Sequence, residues 1–202
     1  MKLYYSPGAC SLAPHIALRE AALPVDLVKV DLDAKKTESG ADYGAINPKG
    51  QVPALGLDDG KVLTEGAVIL QYVADKAGKL APAAGTPDRY AVVEWLNYIA
   101  TELHKGFSPL WRATTPADYK AIVKENLAKQ FAYIDKVLAT RDYIAGASFT
   151  VADAYLFAIL NWAQFHQIDL ATYANVTAFM DRVAARPAVR QALQAEGLLK
   201  AA

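Results

Sequence analysis

The single cysteine of the chain, Cys10, stands where a turn gives way to a helix. The turn is Ser6-Pro7-Gly8-Ala9-Cys10-Ser11, and Ser11 to Ala22 reads as the helix. Pro14 falls in its first turn, where a missing N–H costs little. Free backbone N–H groups and the positive end of the helix dipole favour a thiolate at such a place. The residue types therefore predict a reactive sulfur with a depressed pKa. The plainer reading is a small buried hydrophobe, the usual state of a free cysteine.

Two further clusters could hold a ligand beside that sulfur. The loop Asn47-Pro48-Lys49-Gly50-Gln51-Val52-Pro53 leads into a strand. It is either an ordinary proline–glycine loop or a loop with a cis Val52–Pro53 bond, which would leave the N–H and C=O of Val52 at an edge. A peptide-like ligand can pair with such an edge as an added strand. Thr64-Glu65-Gly66 stands at a helix start. Capping is the simple reading, because an acid in the first turn complements the dipole. The sharper reading adds that helix N–H groups bind a carboxylate, Glu65 holds an ammonium, and Gly66 lets the ligand approach the backbone.

These residues need elements to position them. Lys2 to Tyr5 and Val25 to Val30 are short runs of β-formers, and the helix between them implies a parallel pair. Pro53 to Leu57, the turn Asp58-Asp59-Gly60, and Lys61 to Leu63 read as a hairpin. Thr64 is expected to cap a helix running to about Asp75. Gly78, Pro82, Gly85 and Pro87 mark a linker. Beyond it the pattern is helical. Val92, Trp95, Leu96, Ile99 and Leu103 share one face, as do Val123, Leu127, Phe131, Ile134 and Leu138. Thr150-Val151-Ala152-Asp153 is a capping-box pattern opening an apolar helix through about Phe165, which belongs at the centre of a bundle. Asn175 to Ala185 and Pro187 to Ala195 supply two closing helices. The expected fold class is α/β plus all-α. The domains are 1–78, a linker at 79–86, and an all-helical domain at 87–202.

Bulk composition excludes several functions. The 202 residues are 53% hydrophobic and 21% charged, enough for a packed core. Formal net charge is zero, which argues against a nucleic-acid partner. A lone cysteine excludes an internal disulfide framework and a cysteine-based zinc cage, and His15, His104 and His166 are widely spaced. The most apolar stretch, Ala154 to Leu160, is too short to span a bilayer. The N-terminus has no long apolar run, so a cytoplasmic protein without a membrane partner is expected.

The sequence resembles the glutathione S-transferases, and in particular their bacterial beta class. The resemblance rests on Lys2 through Leu12, Asn47 through Pro53, Leu63-Thr64-Glu65-Gly66, Trp95-Leu96-Asn97 through Glu102-Leu103-His104-Lys105, and Phe149 through Phe157, in the order of the family. It implies a thioredoxin-like N-terminal domain, an all-helical C-terminal bundle and a homodimer. It implies that Cys10 faces the glutathione sulfur and that Val52, before the cis Pro53, pairs with the cysteinyl backbone. Glu65 and Gly66 would hold the γ-glutamyl end, and Lys35 would approach the glycyl carboxylate. Asn97, Thr101, Glu102, Leu103 and His104 would close the site, in part from the neighbouring subunit. His104 read alone is as well explained by a structural role.

The activity so implied is conjugation of reduced glutathione to apolar electrophiles, a detoxification reaction with glutathione as co-substrate and no other cofactor. The electrophile is expected near Phe107, Leu110, Trp111 and Trp162. Cys10 adds the possibility of thiol–disulfide exchange through a mixed disulfide. The rival is a non-catalytic protein of the same fold, against which Cys10, Val52-Pro53 and Glu65 stand together. A specialised dehalogenase or isomerase is a third reading, though the serine-rich signature of maleylacetoacetate isomerases is absent from the first-helix segment. Gly66 departs from the wider superfamily, where many classes carry a serine after the site acid.

Overall fold

Strand β1 (Lys2–Tyr5) pairs in parallel with β2 (Asp26–Asp31), Lys2 lying opposite Asp26 and Tyr5 opposite Lys29. The crossover between them is helix α1 (Leu12–Ala21). The computed structural model describes residues 1–199. Strand period two sends Leu3 and Tyr5 to one face of β1 and Tyr4 to the other. Leu3 and Tyr5 join the main core under α1, and Tyr4 packs in a small second cluster with Val30, Tyr43, Val52 and Ala54.

Two elements of this half are too short for periodicity to reveal. Strand β3 (Lys36–Thr37) pairs antiparallel with β2, and helix α2 (Tyr43–Ile46) is one turn capped by Asp42, whose carboxylate accepts from Gly44 N. The expected hairpin is β4 (Ala54–Gly56) and β5 (Val62–Thr64), with Leu55 opposite Leu63. Strand β4 runs antiparallel to β1, so the sheet order is β3-β2-β1-β4-β5. Helix α3 (Gly66–Ala77) then packs beside α1.

Thr64 does not cap α3. It is the last residue of β5, and the residue at the helix start is Glu65, with φ 68° and no side-chain cap. The strand continues through Thr64 because Ala54 pairs with it, which leaves its hydroxyl pointing away from the helix N–H groups and toward Lys49.

Gly78 ends α3 in the left-handed region, at φ 63°, where a residue with a Cβ is strained. Thr86 caps α4 (Pro87–Tyr98), its hydroxyl accepting from Arg89 N at 3.2 Å. Arg89 reaches back to Asp75, with Nη1 and Nη2 donating to the two carboxylate oxygens at 2.7 and 3.2 Å. The chain between the halves is thus stapled at both ends.

The helix opened by α4 widens into a π-helical segment, Ile99–His104, then continues as α5 (Lys105–Phe107) and a 3₁₀ turn, Ser108–Trp111. Helix α6 (Ala117–Leu138) buries Val123, Leu127, Phe131, Ile134 and Leu138, the stripe its spacing predicts. Helix α7 (Val151–Leu160) is buried at every position and packs against α1, α3 and α4. It stops sooner than expected, and residues Asn161–His166 tighten into a 3₁₀ turn ended by Gln167 at φ 53°. Helices α8 (Ala174–Ala184) and α9 (Pro187–Ala195) close the bundle. One continuous core carries Leu3 and Ile16 of the first half together with Leu156 and Ile159 of the second.

Candidate active site

The loop that carries Cys10 is held from both sides by the helical half. Gly8, at φ 72°, donates its N–H to Glu196 Oε2 at 2.9 Å and accepts from Trp162 Nε1 at 2.9 Å. The other oxygen of Glu196 pairs with His15 Nδ1 at 2.8 Å, both side chains fully buried. Ser11 ties the loop to itself through Ser6. The position of the sulfur is therefore set by contacts some 150 residues or more away in sequence, which no local motif encodes.

Cys10 is buried and its Sγ donates to Val52 O at 3.3 Å. The sulfur is thus a thiol and not the depressed thiolate that the helix start predicts. Desolvation pushes its pKa up to about 12, and the backbone N–H groups and Lys105 offset only part of that. The same bond occupies part of the edge that sequence reasoning left open, because Val52 O already accepts a hydrogen. A carbonyl oxygen has a second lone pair for a ligand N–H. The Val52–Pro53 bond is cis, as the sharper reading of the loop requires.

Cys10, Val52 and Pro53 open on a cleft of about 600 Å³ between the two halves. Its polar end holds Lys35, Lys49, Glu65 and Gly66. Lys35 lies at φ 54° and donates from Nζ to Gly50 O at 2.9 Å. Lys49 Nζ bridges Thr64 Oγ1 and Glu65 Oε1. That ammonium, foremost, holds the Glu65 carboxyl below its ordinary value, so Glu65 is charged at neutral pH. Its φ of 68° is an uncommon backbone state for a residue with a side chain, and such states concentrate at ligand sites.

The other end of the cleft is aromatic. Trp111 and Phe165 are half exposed there, and Trp162 packs edge-on to both Trp111 and His104. His104 joins this wall because the π-helical turn before it carries its ring into the cleft. Its Nδ1 lies 2.7 Å from Tyr155 Oη. Burial, then Lys105, lowers its pKa to about 4, so the ring is neutral at physiological pH.

Of the residues singled out from sequence, Cys10, Lys35, Val52, Pro53, Glu65, Gly66, His104, Trp111 and Trp162 line this cleft. Six do not. Leu103 and Phe107 are fully buried and Leu110 nearly so, because they continue the apolar stripe of α4 into the core. Thr101 and Glu102 lie on the opposite side of the π-turn and line a separate cavity of about 330 Å³ against α6. Asn97 is exposed outside both. In the other direction, sequence reasoning passed over Lys49, Lys105, Tyr155 and Phe165, which do line the cleft. Lys49 and Lys105 each stand inside a segment already singled out, and their charge was the available signal. Tyr155 gave none, since one tyrosine in a buried helix reads as core.

A thioredoxin-like α/β half whose ligand-sized cleft is closed by a helical bundle defines the class to which this molecule belongs. Residues 8–76 match the description Glutathione S-transferase, N-terminal domain, and residues 98–187 match Glutathione S-transferase, C-terminal domain. The glutathione S-transferase GstA of Escherichia coli O157:H7 is 53% identical over 200 residues, covering 98% of this chain and 100% of that one. A sphingomonad glutathione S-transferase complexed with glutathione superposes with a TM-score of 0.95 at 49% identity, over 98% of this chain and 100% of that one. The beta-class enzyme of Sphingomonas chungbukensis gives a TM-score of 0.95 at 45% identity, with the same two coverages. The chain belongs to the glutathione S-transferase family, an enzyme family, and is similar to its bacterial beta class.

Proposed function

We propose that this protein binds reduced glutathione in the cleft and transfers it to apolar electrophiles. The observation that carries the reading is the two-ended cleft. Lys35 and Glu65 stand at one end, Trp111, Trp162 and Phe165 at the other, and the Cys10 thiol and His104 ring line the same space. Glutathione is an extended peptide with charged ends and a central thiol. Its cysteinyl backbone would pair with Val52, its γ-glutamyl ammonium would meet Glu65, and its glycyl carboxylate would meet Lys35. The glutathione thiolate would then accept a hydrogen bond from the imidazole and, with the Cys10 thiol proton turned away from Val52 O, a second from Cys10 Sγ–H. It attacks the electrophilic carbon, the new C–S bond forms, and the leaving group departs with its electron pair.

In this reading residues 1–78 hold glutathione and residues 87–202 supply the electrophile wall. Detoxification is the role such a broad aromatic pocket suits, because apolar pockets discriminate little between substrates of similar size. A homodimer is part of the same reading. It is supported by an aromatic cluster in which Tyr133, half exposed, stacks on Trp95 at 5.9 Å beside Tyr98. Calorimetry with reduced glutathione, followed by conjugation of chlorodinitrobenzene, tests the assignment. Saturable binding with turnover is expected. A folded protein that neither binds glutathione nor turns over would leave the non-catalytic rival standing.

Thiol–disulfide exchange is the second arm, supported by the sulfur of the lone cysteine lining the cleft. The Cys10 thiolate would attack one sulfur of oxidised glutathione, forming the mixed disulfide and releasing glutathione thiolate. With the thiol held near 12, the thiolate fraction rises about tenfold per pH unit through the neutral and mildly alkaline range. Adduct formation, followed by intact-mass spectrometry, is expected to accelerate by about that factor per unit between pH 7 and pH 9. A rate independent of pH would mean the thiol is already ionised. Cys10→Ala should keep most conjugation, because the thiol serves there only as a hydrogen-bond donor, and should lose the adduct entirely.

A further inference from the structure

We propose that Tyr155 is a positioning residue that fixes the tautomer of His104, so that the cleft always meets an Nε2–H donor. Tyr155 belongs to α7, the central helix of the bundle, and is 3% exposed. Its phenol oxygen lies 2.7 Å from His104 Nδ1, and the two rings meet edge-on, 5.9 Å apart at 89°. Among the described residues this is the one hydrogen bond that either side chain makes through these polar atoms. Among the described residues His104 Nε2 has no protein partner, and it is left to the cleft that His104 lines.

Both groups are neutral near pH 7, because burial lowers the imidazole and raises the phenol. A neutral imidazole has one bare nitrogen and one N–H, and the bond made by one nitrogen decides which. A phenol O–H is the stronger donor and a bare ring nitrogen the stronger acceptor. The bond therefore runs from Tyr155 Oη–H to His104 Nδ1, and the ring proton resides on Nε2. The opposite arrangement would spend the N–H on the phenol oxygen and leave the phenol proton without a protein acceptor. It would also present a lone pair to the cleft, where an approaching anion is repelled. The imidazole packs between two aromatic neighbours that belong to the core, Trp162 edge-on at 5.0 Å and Tyr155 edge-on at 5.9 Å.

The reading of the cleft as a glutathione site bears only on what the N–H is used for. The lock itself is testable without substrate. Long-range ¹H–¹⁵N spectra of the ¹⁵N-labelled protein report which nitrogen of each histidine is protonated, and His104→Asn assigns the signals. A bare Nδ1 and a protonated Nε2 are expected for His104, unchanged from pH 6 to pH 8. Tyr155→Phe, which keeps the ring and its packing, should give mixed tautomers. A protonated Nδ1 in the wild type, or a tautomer unmoved by Tyr155→Phe, overturns the proposal.

Kinetics provide the second readout. Tyr155→Phe should lower kcat for conjugation by about tenfold with the KM for glutathione nearly unchanged, the loss of one oriented hydrogen bond. In a His104→Ala background the same change should cost less than about twofold, since the two residues act as one unit. A full tenfold cost in that background means Tyr155 acts on its own and sinks the proposal. A shifted tautomer with an unaltered kcat upholds the lock and instead removes His104 from the reaction.

Discussion

Glu65→Ala weakens the binding of reduced glutathione by about 10- to 100-fold, the cost of removing a charged hydrogen-bond partner, about 1.5–3 kcal/mol. The substitution leaves the backbone alone, because alanine is as strained as glutamate at the φ of 68° that this position adopts. What it removes is the carboxylate, and with it the partner of Lys49. A freed Lys49 ammonium then repels the γ-glutamyl ammonium, so the loss has two sources of the same sign. Lys49→Ala separates them. It leaves Glu65 ionised and unpaired, and it should bind glutathione at least as tightly as the wild type. Calorimetry on folded proteins measures both. An affinity unchanged in Glu65→Ala would remove the ammonium from this end of the cleft and, with it, the proposed direction of the ligand.

Asp153→Ala lowers the melting temperature by about 6–12 °C. Asp153 is fully buried, with Oδ1 accepting from Ile144 N at 2.7 Å and Oδ2 from Thr150 N at 2.7 Å and Thr150 Oγ1 at 2.8 Å. Burial pushes its carboxyl up to about 6 against the pull of these donors, so it is ionised at neutral pH. Alanine leaves two backbone N–H groups without a partner in the core, at the start of the helix around which the bundle is built. An orphaned buried donor costs about 1–3 kcal/mol, so a total near 3 kcal/mol is expected. For a chain of this size each kcal/mol moves the midpoint by about 2–4 °C. Asparagine recovers little, because its NH₂ faces an N–H donor where the carboxylate offered an oxygen. A calorimetric scan giving a midpoint within about 2 °C of the wild type would show that water or backbone movement satisfies those groups instead.

Much of this architecture is legible in residue order because it follows from local rules. The β4–β5 hairpin, the apolar stripe of α6 and the capping box of α7 each depend on residues a few positions apart, and the parallel β1–β2 pair follows from the one helical crossover that joins two short runs of β-formers. Strand alternation, helical periodicity, Asp58-Asp59-Gly60 and Thr150 through Asp153 record them directly. The motifs singled out around Cys10, Val52-Pro53 and Glu65-Gly66 are local in the same sense, and these residues line one cleft. Even β3 and α2 escape only because two and four residues carry no period.

What tertiary structure alone decided is the chemical state of those residues and who stands beside them. The helix start at Cys10 argues for a thiolate, yet the core contributed by distant segments desolvates the sulfur, and desolvation outweighs the dipole. The helical stripe through Leu103 looks continuous in sequence. One π-helical turn rotates its neighbours, so that His104 enters the cleft while Thr101 and Glu102 face away and Leu103 stays in the core. Glu196 on Gly8, Trp162 on the same peptide and Tyr155 on His104 are contacts between positions 188, 154 and 51 residues apart. Such contacts leave no periodic trace. They exist only once the bundle has packed α7 and α9 against the first helix, since burial and hydrogen-bond partners are properties of the whole fold and not of any segment.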